Sequence, residues 1–208
     1  MWFVRALPLL TAAFTLAGCA GMSEQACLSS DWHTVGFEDG SLGRAETTIA
    51  NYRKACAEHG VAPDLVAYRA GHAEGVQVYC KPGNGFDVGH SGSAYQGVCS
   101  ADLEPDFVAA YNTGRHLHDL EWSLARVDGQ IASNNREQED IRKELTRIAA
   151  SMVASDTTAE QRVLMVSKSA ELGRRYGELT NETKALADER VVHALELRDF
   201  QETLAAGF

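Results

Sequence analysis

The pattern of hydrophobic positions changes character near residue 102. From there, apolar side chains recur at alternating steps of three and four residues, the spacing of a coiled-coil seam. The seam consists of Leu117, Leu120, Leu124, Val127, Ile131, Asn134, Gln138, Ile141, Leu145, Ile148 and Met152. It predicts one long helix that ends before Ala154. We interpret the polar members Asn134 and Gln138 as residues that set the register of the helices, the alternative being a polar pocket.

A second seam of the same spacing follows a short break. Its members are Met165, Ser169, Leu172, Tyr176, Leu179, Thr183, Leu186, Arg190, His193, Leu197, Phe200 and Leu204. Thr157-x-x-Glu160 is typical of a capping box at the start of this helix. Because the arms on either side of the break are nearly equal, residues 102–208 are predicted to form an antiparallel coiled-coil hairpin. The seam also allows a homo-oligomer in which the helices pair between chains.

Residues 31–101 show shorter helical patterns. We expect Ser30 or Asp31 to cap a first helix, residues 45–59 to form a second, and Pro63-Asp64 to open a third that runs to Cys80. Aromatic residues alternate with glycines in these segments, which indicates close helix packing, with an aromatic ligand surface as the alternative. The fold class predicted for the whole chain is therefore all-α: a small helical domain with a Gly-rich loop, then the long hairpin.

The Gly-rich stretch 81–98 is predicted to be a series of turns, since Gly, Asn, Ser and Pro cluster there. It has no P-loop spacing, so it does not predict phosphate binding. We expect an exposed loop that carries three candidate interaction residues, Phe86, His90 and Tyr95.

The beginning of the chain indicates export. A short apolar run, residues 6–16, follows Arg5 and leads into Leu16-Ala17-Gly18-Cys19, which is typical of a lipobox. We therefore expect residues 1–18 to be a lipoprotein signal peptide, Cys19 to carry lipid, and residues 19–30 to include a short tether. The alternative is an ordinary signal peptide with a chance cysteine. Ala20, in place of Asp, favours the outer membrane, so the expected location is that membrane, facing the periplasm.

Four cysteines remain after Cys19, and an even number in an exported chain predicts two disulfides. Spacing alone allows three pairings, and zinc binding is the other alternative. We favour Cys27 with Cys56 and Cys80 with Cys99.

Charge and motifs bear on the class of function. The formal net charge is -10, with no basic stripe, so nucleic-acid binding is not expected. The chain has neither H-E-x-x-H nor G-x-S-x-G, and we expect no enzyme activity, no metal and no cofactor.

A family resemblance emerges from the cysteines and their neighbours. The chain resembles bacterial lipoproteins of the domain of unknown function 2799 over about residues 27–120. The residues that carry the resemblance are Cys27-x-x-x-Asp31-Trp32-x-x-x-Gly36-x-x-Asp39-Gly40, Ala55-Cys56-Ala57-x-His59-Gly60-x-x-Pro63-Asp64, Tyr68-x-x-Gly71-x-x-x-Gly75-x-x-x-Tyr79-Cys80-x-Pro82 and Gly85-x-x-x-Gly89-x-x-Gly92-x-x-Tyr95-x-Gly97-Val98-Cys99. The resemblance implies an exported lipoprotein with paired cysteines, and it supplies no catalytic residue.

These observations together predict a lipid-anchored envelope protein with a structural or adaptor role and an unknown envelope protein as partner. The alternative is a periplasmic binding module that recognises a cell-wall or small ligand through residues 81–98.

Overall fold

The structure, a computed structural model, describes residues 22–207. Cys19 and the expected signal peptide lie outside the described residues. The α-helices of the described range are α1 (Glu24–Ser29), α2 (Trp32–Ser41), α3 (Ile49–Ala57), α4 (Leu65–Tyr79), α5 (Pro82–His90), α6 (Glu104–Met152) and α7 (Ala159–Ala206), with a 3₁₀ turn at Glu46–Thr48. Residues 22–207 contain no strand, which confirms the all-α prediction. None of these helices is long and apolar enough to cross a membrane.

The described chain divides into two compact units. The first comprises the chain up to Cys80 together with Gln96–Ser100, and the second comprises Lys81–Tyr95 and the chain from Ala101 onward. The boundary predicted after residue 101 differs from this division, because residues 81–95 pack with the second unit.

Side-chain caps set the helix starts of the first unit. The Asp31 carboxylate accepts hydrogen bonds from the backbone N–H groups of His33 and Thr34, and so begins α2. Asp64 does the same for α4, with Val66 and Ala67 as donors. Both caps lie where the sequence predicts helix starts.

Helices α2 and α4 cross at very short range because glycines line the crossing. A Cβ built on Gly36 would lie 2.0 Å from the carbonyl oxygen of Tyr68, and one on Gly71 would lie 1.9 Å from that of His33. Any side chain at these positions would force the helices apart. The alternation of aromatic residues and glycines therefore serves close helix packing here.

Two disulfides hold the first unit. Cys27 of α1 is bonded to Cys56 of α3, and Cys80 at the end of α4 is bonded to Cys99. These are the pairs favoured from the sequence. The first bond lies in a core with Trp32, Ile49 and Tyr68.

The second unit corrects the prediction for the Gly-rich stretch. Residues 82–90 form α5, not a series of turns, with Pro82 in its first turn. Glycine allows this helix to lie directly on α6, since a Cβ on Gly89 would be 2.1 Å from the carbonyl oxygen of Tyr111. Gly85 and Gly89 are four residues apart and so lie on one face of the helix. The many turn-forming residues around them hide this helical spacing in the sequence.

The α2–α4 and α5–α6 pairs are built alike. Gly36-Phe37-x-x-Gly40-x-x-Gly43 recurs 49 positions later as Gly85-Phe86-x-x-Gly89-x-x-Gly92. Each motif ends in a glycine of positive φ, 70° at Gly43 and 79° at Gly92. The closing hydrogen bonds also correspond, because Gly43 N–H donates to the Gly40 carbonyl and Gly92 N–H donates to the Gly89 carbonyl.

Helices α6 and α7 form the predicted hairpin within one chain. The seam residues Val127, Ile141, Ile148 and Leu179 are buried, as a coiled-coil interface requires. Gln138 donates to the Thr180 hydroxyl across the hairpin at 3.0 Å, consistent with a role in register. The capping box lies one residue beyond its predicted place, between Thr158 and Gln161.

Ion pairs along the edges of the hairpin support its antiparallel register. Arg126 lies 2.8 Å from Glu189, and Arg175 lies 2.8 Å from Glu137. These pairs are exposed, so each contributes little to stability. They indicate how α6 and α7 are aligned, because each pair joins two residues at similar distances along the chain from the turn.

Candidate functional site

The three candidate interaction residues lie half-buried in the second unit and contact its own residues. The rings of Phe86 and His90 on α5 are 5.8 Å apart, and His90 Nε2 lies 2.9 Å from a Glu121 carboxylate oxygen. Tyr95 donates its hydroxyl hydrogen to Glu104, and its ring lies 4.9 Å from that of Phe107. These side chains therefore pack between elements of the second unit and do not project from one exposed loop.

A buried carboxylate, which sequence reasoning missed, organises the first unit. Asp39 on α2 is only 1% exposed. It accepts hydrogen bonds from the Tyr68 hydroxyl at 2.7 Å, the Tyr52 hydroxyl at 3.2 Å and the Arg44 guanidinium at 2.9 Å. The signal that could have identified it is its place seven residues after Trp32 and three after Gly36, on the buried face of α2.

The environment of Asp39 changes the proton affinity of both tyrosines. Burial raises the pKa of Tyr68 strongly, and the hydrogen bond and negative charge of Asp39 raise it further. Burial and Asp39 raise the pKa of Tyr52 in the same direction. The Arg44 guanidinium has a raised pKa because Asp39 accepts its hydrogen bond. Both tyrosines are therefore held as hydroxyl donors to the carboxylate.

His72 lies beside this network and borders a cavity. Its ring is stacked on Tyr68 at 5.9 Å, and its Nε2 donates to the backbone carbonyl of Arg44 at 2.7 Å. The cavity has a volume of about 470 Å³ and opens between α4 and the segment after residue 95. Its walls include Glu46, Gln77, Gln96 and Ser100. Polar and apolar groups are mixed there, so a small polar molecule is the kind of ligand that this cavity would fit.

The second helix pair lacks the buried carboxylate. By the glycine contacts, Val88 stands where α2 has Asp39, and Phe107 stands where α4 has Tyr68. Phe107 is as fully buried as Tyr68. A glycine-mediated crossing of this kind therefore forms with apolar residues at these two positions, Val88 and Phe107, as well as with the hydrogen-bonded Asp39 and Tyr68.

The arrangement around Asp39 holds helices together. Its carboxylate has almost no exposed surface and accepts hydrogen bonds from α3, from α4 and from Arg44 after α2. Within residues 22–207, no group of three His, Cys, Asp or Glu side chains is placed to hold a metal ion.

The turn end of the hairpin carries an apolar surface that includes residues outside the two seams. A groove of about 390 Å³ lies between the helices there, with Ile148, Leu164 and Met165 in its lining. Leu164 is 65% exposed, and Val153 in the turn is 84% exposed. Glu144, Arg147 and Lys168 form a charged border. An apolar centre with a charged rim is the composition of a protein-binding surface.

Comparison with known protein families finds a match in the first part of the described chain. Residues 31–116 match the model of a family described as a protein of unknown function, DUF2799. The match spans both glycine-mediated helix pairs and ends at His116, early in α6. Neither a curated protein nor a solved structure matches the chain.

Proposed function

We propose that this chain is a lipid-anchored protein of the cell envelope with a structural or adaptor role. In this proposal Cys19 carries the lipid, the outer membrane holds it, and the chain faces the periplasm. The role is non-enzymatic, and the partner is an envelope protein that binds the turn end of the hairpin.

The exposed apolar groove at the turn supports the adaptor role. Leu164, in the groove, and Val153, in the turn, are apolar side chains exposed to water. A partner bound at the turn would remove their apolar surface from water, which is favourable. The hairpin itself provides reach, because a helix of the 49 residues of α6 is about 70 Å long at 1.5 Å per residue. A long helix pair with an apolar end offers a partner a surface to bind, as an adaptor needs.

Crosslinking in intact cells tests the adaptor role. A photo-reactive residue in place of Val153 should give a crosslinked species of defined mass, and Leu164→Asp should abolish it. Ala132→Asp on the exposed side of α6 is the matched control, since it adds the same charge away from the groove and should leave the species unchanged. No crosslink from position 153, or a crosslink that survives Leu164→Asp, would contradict the proposal.

The anchor is tested separately by cell fractionation. Cys19→Ser should move the protein from the membrane fraction to the soluble fraction, because no other lipid attachment is proposed. Continued association with the outer membrane would refute the lipid anchor and leave the adaptor test unaffected.

A periplasmic binding module is the second candidate, and the cavity beside His72 favours it. Part of its wall comes from the predicted ligand segment, namely Gln96, Gly97 and Val98. Soluble cell-wall fragments should then raise the unfolding temperature, and Ala73→Trp, which fills the cavity, should remove that increase. An unchanged unfolding temperature with every fragment would dismiss this candidate.

A further inference from the structure

Helix α7 carries a second row of residues at heptad spacing, and this row is exposed. Val163, Ala170, Gly177, Lys184 and Val191 follow one another at intervals of seven residues, and all five are exposed. Val163 is 65% and Val191 is 56% exposed, whereas Leu179, in the seam towards α6, is fully buried. Residues at this interval share one face of a supercoiled helix. Helix α7 therefore has two heptad faces, and α6 covers one of them.

Gly173 and Gly177, one helical turn apart, mark the centre of this outward face. A Cβ at either position would meet nothing within 4 Å among the described residues. The helix glycines of the two crossings differ, since a Cβ on Gly36, Gly71 or Gly89 would lie about 2 Å from a backbone oxygen. Glycine inside a helix lowers its stability, so a glycine pair without an intrachain contact suggests a contact with another chain.

We propose that a second copy of this chain packs on this face, with the two α7 helices antiparallel and Gly177 on the two-fold axis. Val163 and Val191 are each fourteen positions from Gly177. In the antiparallel pair, Val163 of one copy therefore meets Val191 of the other. The two-fold symmetry repeats this contact, so both exposed valines of each copy become buried. A two-fold contact of this kind uses the same surface on both partners and closes on itself.

Charged residues on α7 favour a second copy as the partner and the antiparallel orientation of the two helices. Lys184 lies seven positions after Gly177, and Glu171 lies six positions before it. The antiparallel pair brings Lys184 of one copy beside Glu171 of the other, twice by symmetry, while a parallel pair would bring Lys184 against Lys184. Within the described part of the chain, neither residue lies within 4.0 Å of an opposite charge. The proposal does not depend on the adaptor role, because it uses a different face of the hairpin.

Cysteine crosslinking of the full-length protein, solubilised in detergent, tests the axis. Gly177→Cys should form a disulfide-linked dimer under mild oxidation, because the two new thiols meet on the axis. Val163→Cys should not, since the two thiols would lie about 40 Å apart at 1.5 Å per residue along the helices. The unsubstituted chain reports any dimer made by its own cysteines. Equal crosslinking from positions 163 and 177, or none from 177, would overturn the proposal.

A substitution without new thiols gives the second measurement. Gly177→Leu has room in the single chain, so circular dichroism should show an intact helical protein. The dimer dissociation constant from sedimentation should rise about tenfold or more, as the loss of a central contact does. Gly129→Leu, at the open glycine of α6, is the control and should dimerise normally. An unsubstituted chain that is monomeric at every concentration, or an unchanged constant in Gly177→Leu, would also overturn the proposal.

Discussion

At the residue scale, Asp39 and Tyr68 explain how a charge is tolerated in the first unit. Asp39 accepts three hydrogen bonds from protein donors, and these replace the water that it loses on burial. Tyr68 is the most deeply buried of the three donors, with no exposed surface. The Tyr68 hydroxyl donates to this buried carboxylate, and burial together with Asp39 raises the pKa of Tyr68.

This link predicts a pH dependence for stability. The pKa of Tyr68 is raised on folding, so above about pH 10 the unfolded tyrosine ionises while the folded one keeps its proton. The stability that Tyr68 contributes is complete below that pH and is lost as the pH rises further. Tyr68→Phe should cost about 1–3 kcal/mol at pH 7, because the buried Asp39 carboxylate loses one of its three hydrogen-bond donors. The difference from the unsubstituted protein should narrow above pH 10.

Urea unfolding at several pH values between 7 and 11.5 checks this expectation. The free energy of unfolding of the unsubstituted protein should fall more steeply above pH 10 than that of Tyr68→Phe. Parallel curves for the two proteins would show that Tyr68 titrates normally in the folded state.

At the scale of elements, the repeated helix pair provides its own control experiment. The α5–α6 crossing closes with Val88 and Phe107 where α2–α4 uses Asp39 and Tyr68. Asp39→Val alone should destabilise the first unit by about 1–3 kcal/mol, because it leaves the buried Tyr68 hydroxyl without an acceptor. The double variant Asp39→Val with Tyr68→Phe should recover most of that loss, since both buried polar groups are removed together.

A double-mutant cycle from denaturant unfolding measures this recovery. We expect the double variant to be more stable than Asp39→Val alone. Additive losses would mean that Asp39 and Tyr68 are not energetically coupled, and would contradict the role given to their hydrogen bond.

The elements also show where sequence patterns are sufficient. The heptad seams predict α6 and α7 closely because many positions repeat one signal, and Asp31 and Asp64 mark helix starts because capping is local. The pattern fails over residues 82–90. This stretch is rich in glycine and therefore looks like a series of turns, but it forms a helix whose glycines permit a close crossing. It also misses Asp39, since an acidic residue next to a glycine is usually exposed and its partners are distant in the chain.

At the scale of the whole molecule, the two units are stabilised by different means. Both disulfides, Cys27–Cys56 and Cys80–Cys99, belong to the first unit. The second unit depends on the long seam between α6 and α7 and on the packing of α5 against α6. Disulfides stabilise a fold chiefly by restricting the unfolded chain. The two bonds join residues 29 and 19 positions apart, and each should add about 3 kcal/mol to the free energy of unfolding.

Reduction should therefore loosen one unit and spare the other. With dithiothreitol, hydrogen exchange followed by mass spectrometry should show faster exchange in peptides from α2, α3 and α4, because the unfolded state of that unit becomes more favourable by up to about 6 kcal/mol. Peptides from the centre of α6 and α7, around Val127 and Leu179, should keep their protection. The protein carrying Ser at all four positions 27, 56, 80 and 99 should reproduce this result without reductant. Equal loss of protection in both units would show that the hairpin depends on the disulfide-linked unit for its stability, because nothing in the α6–α7 seam itself is sensitive to reduction.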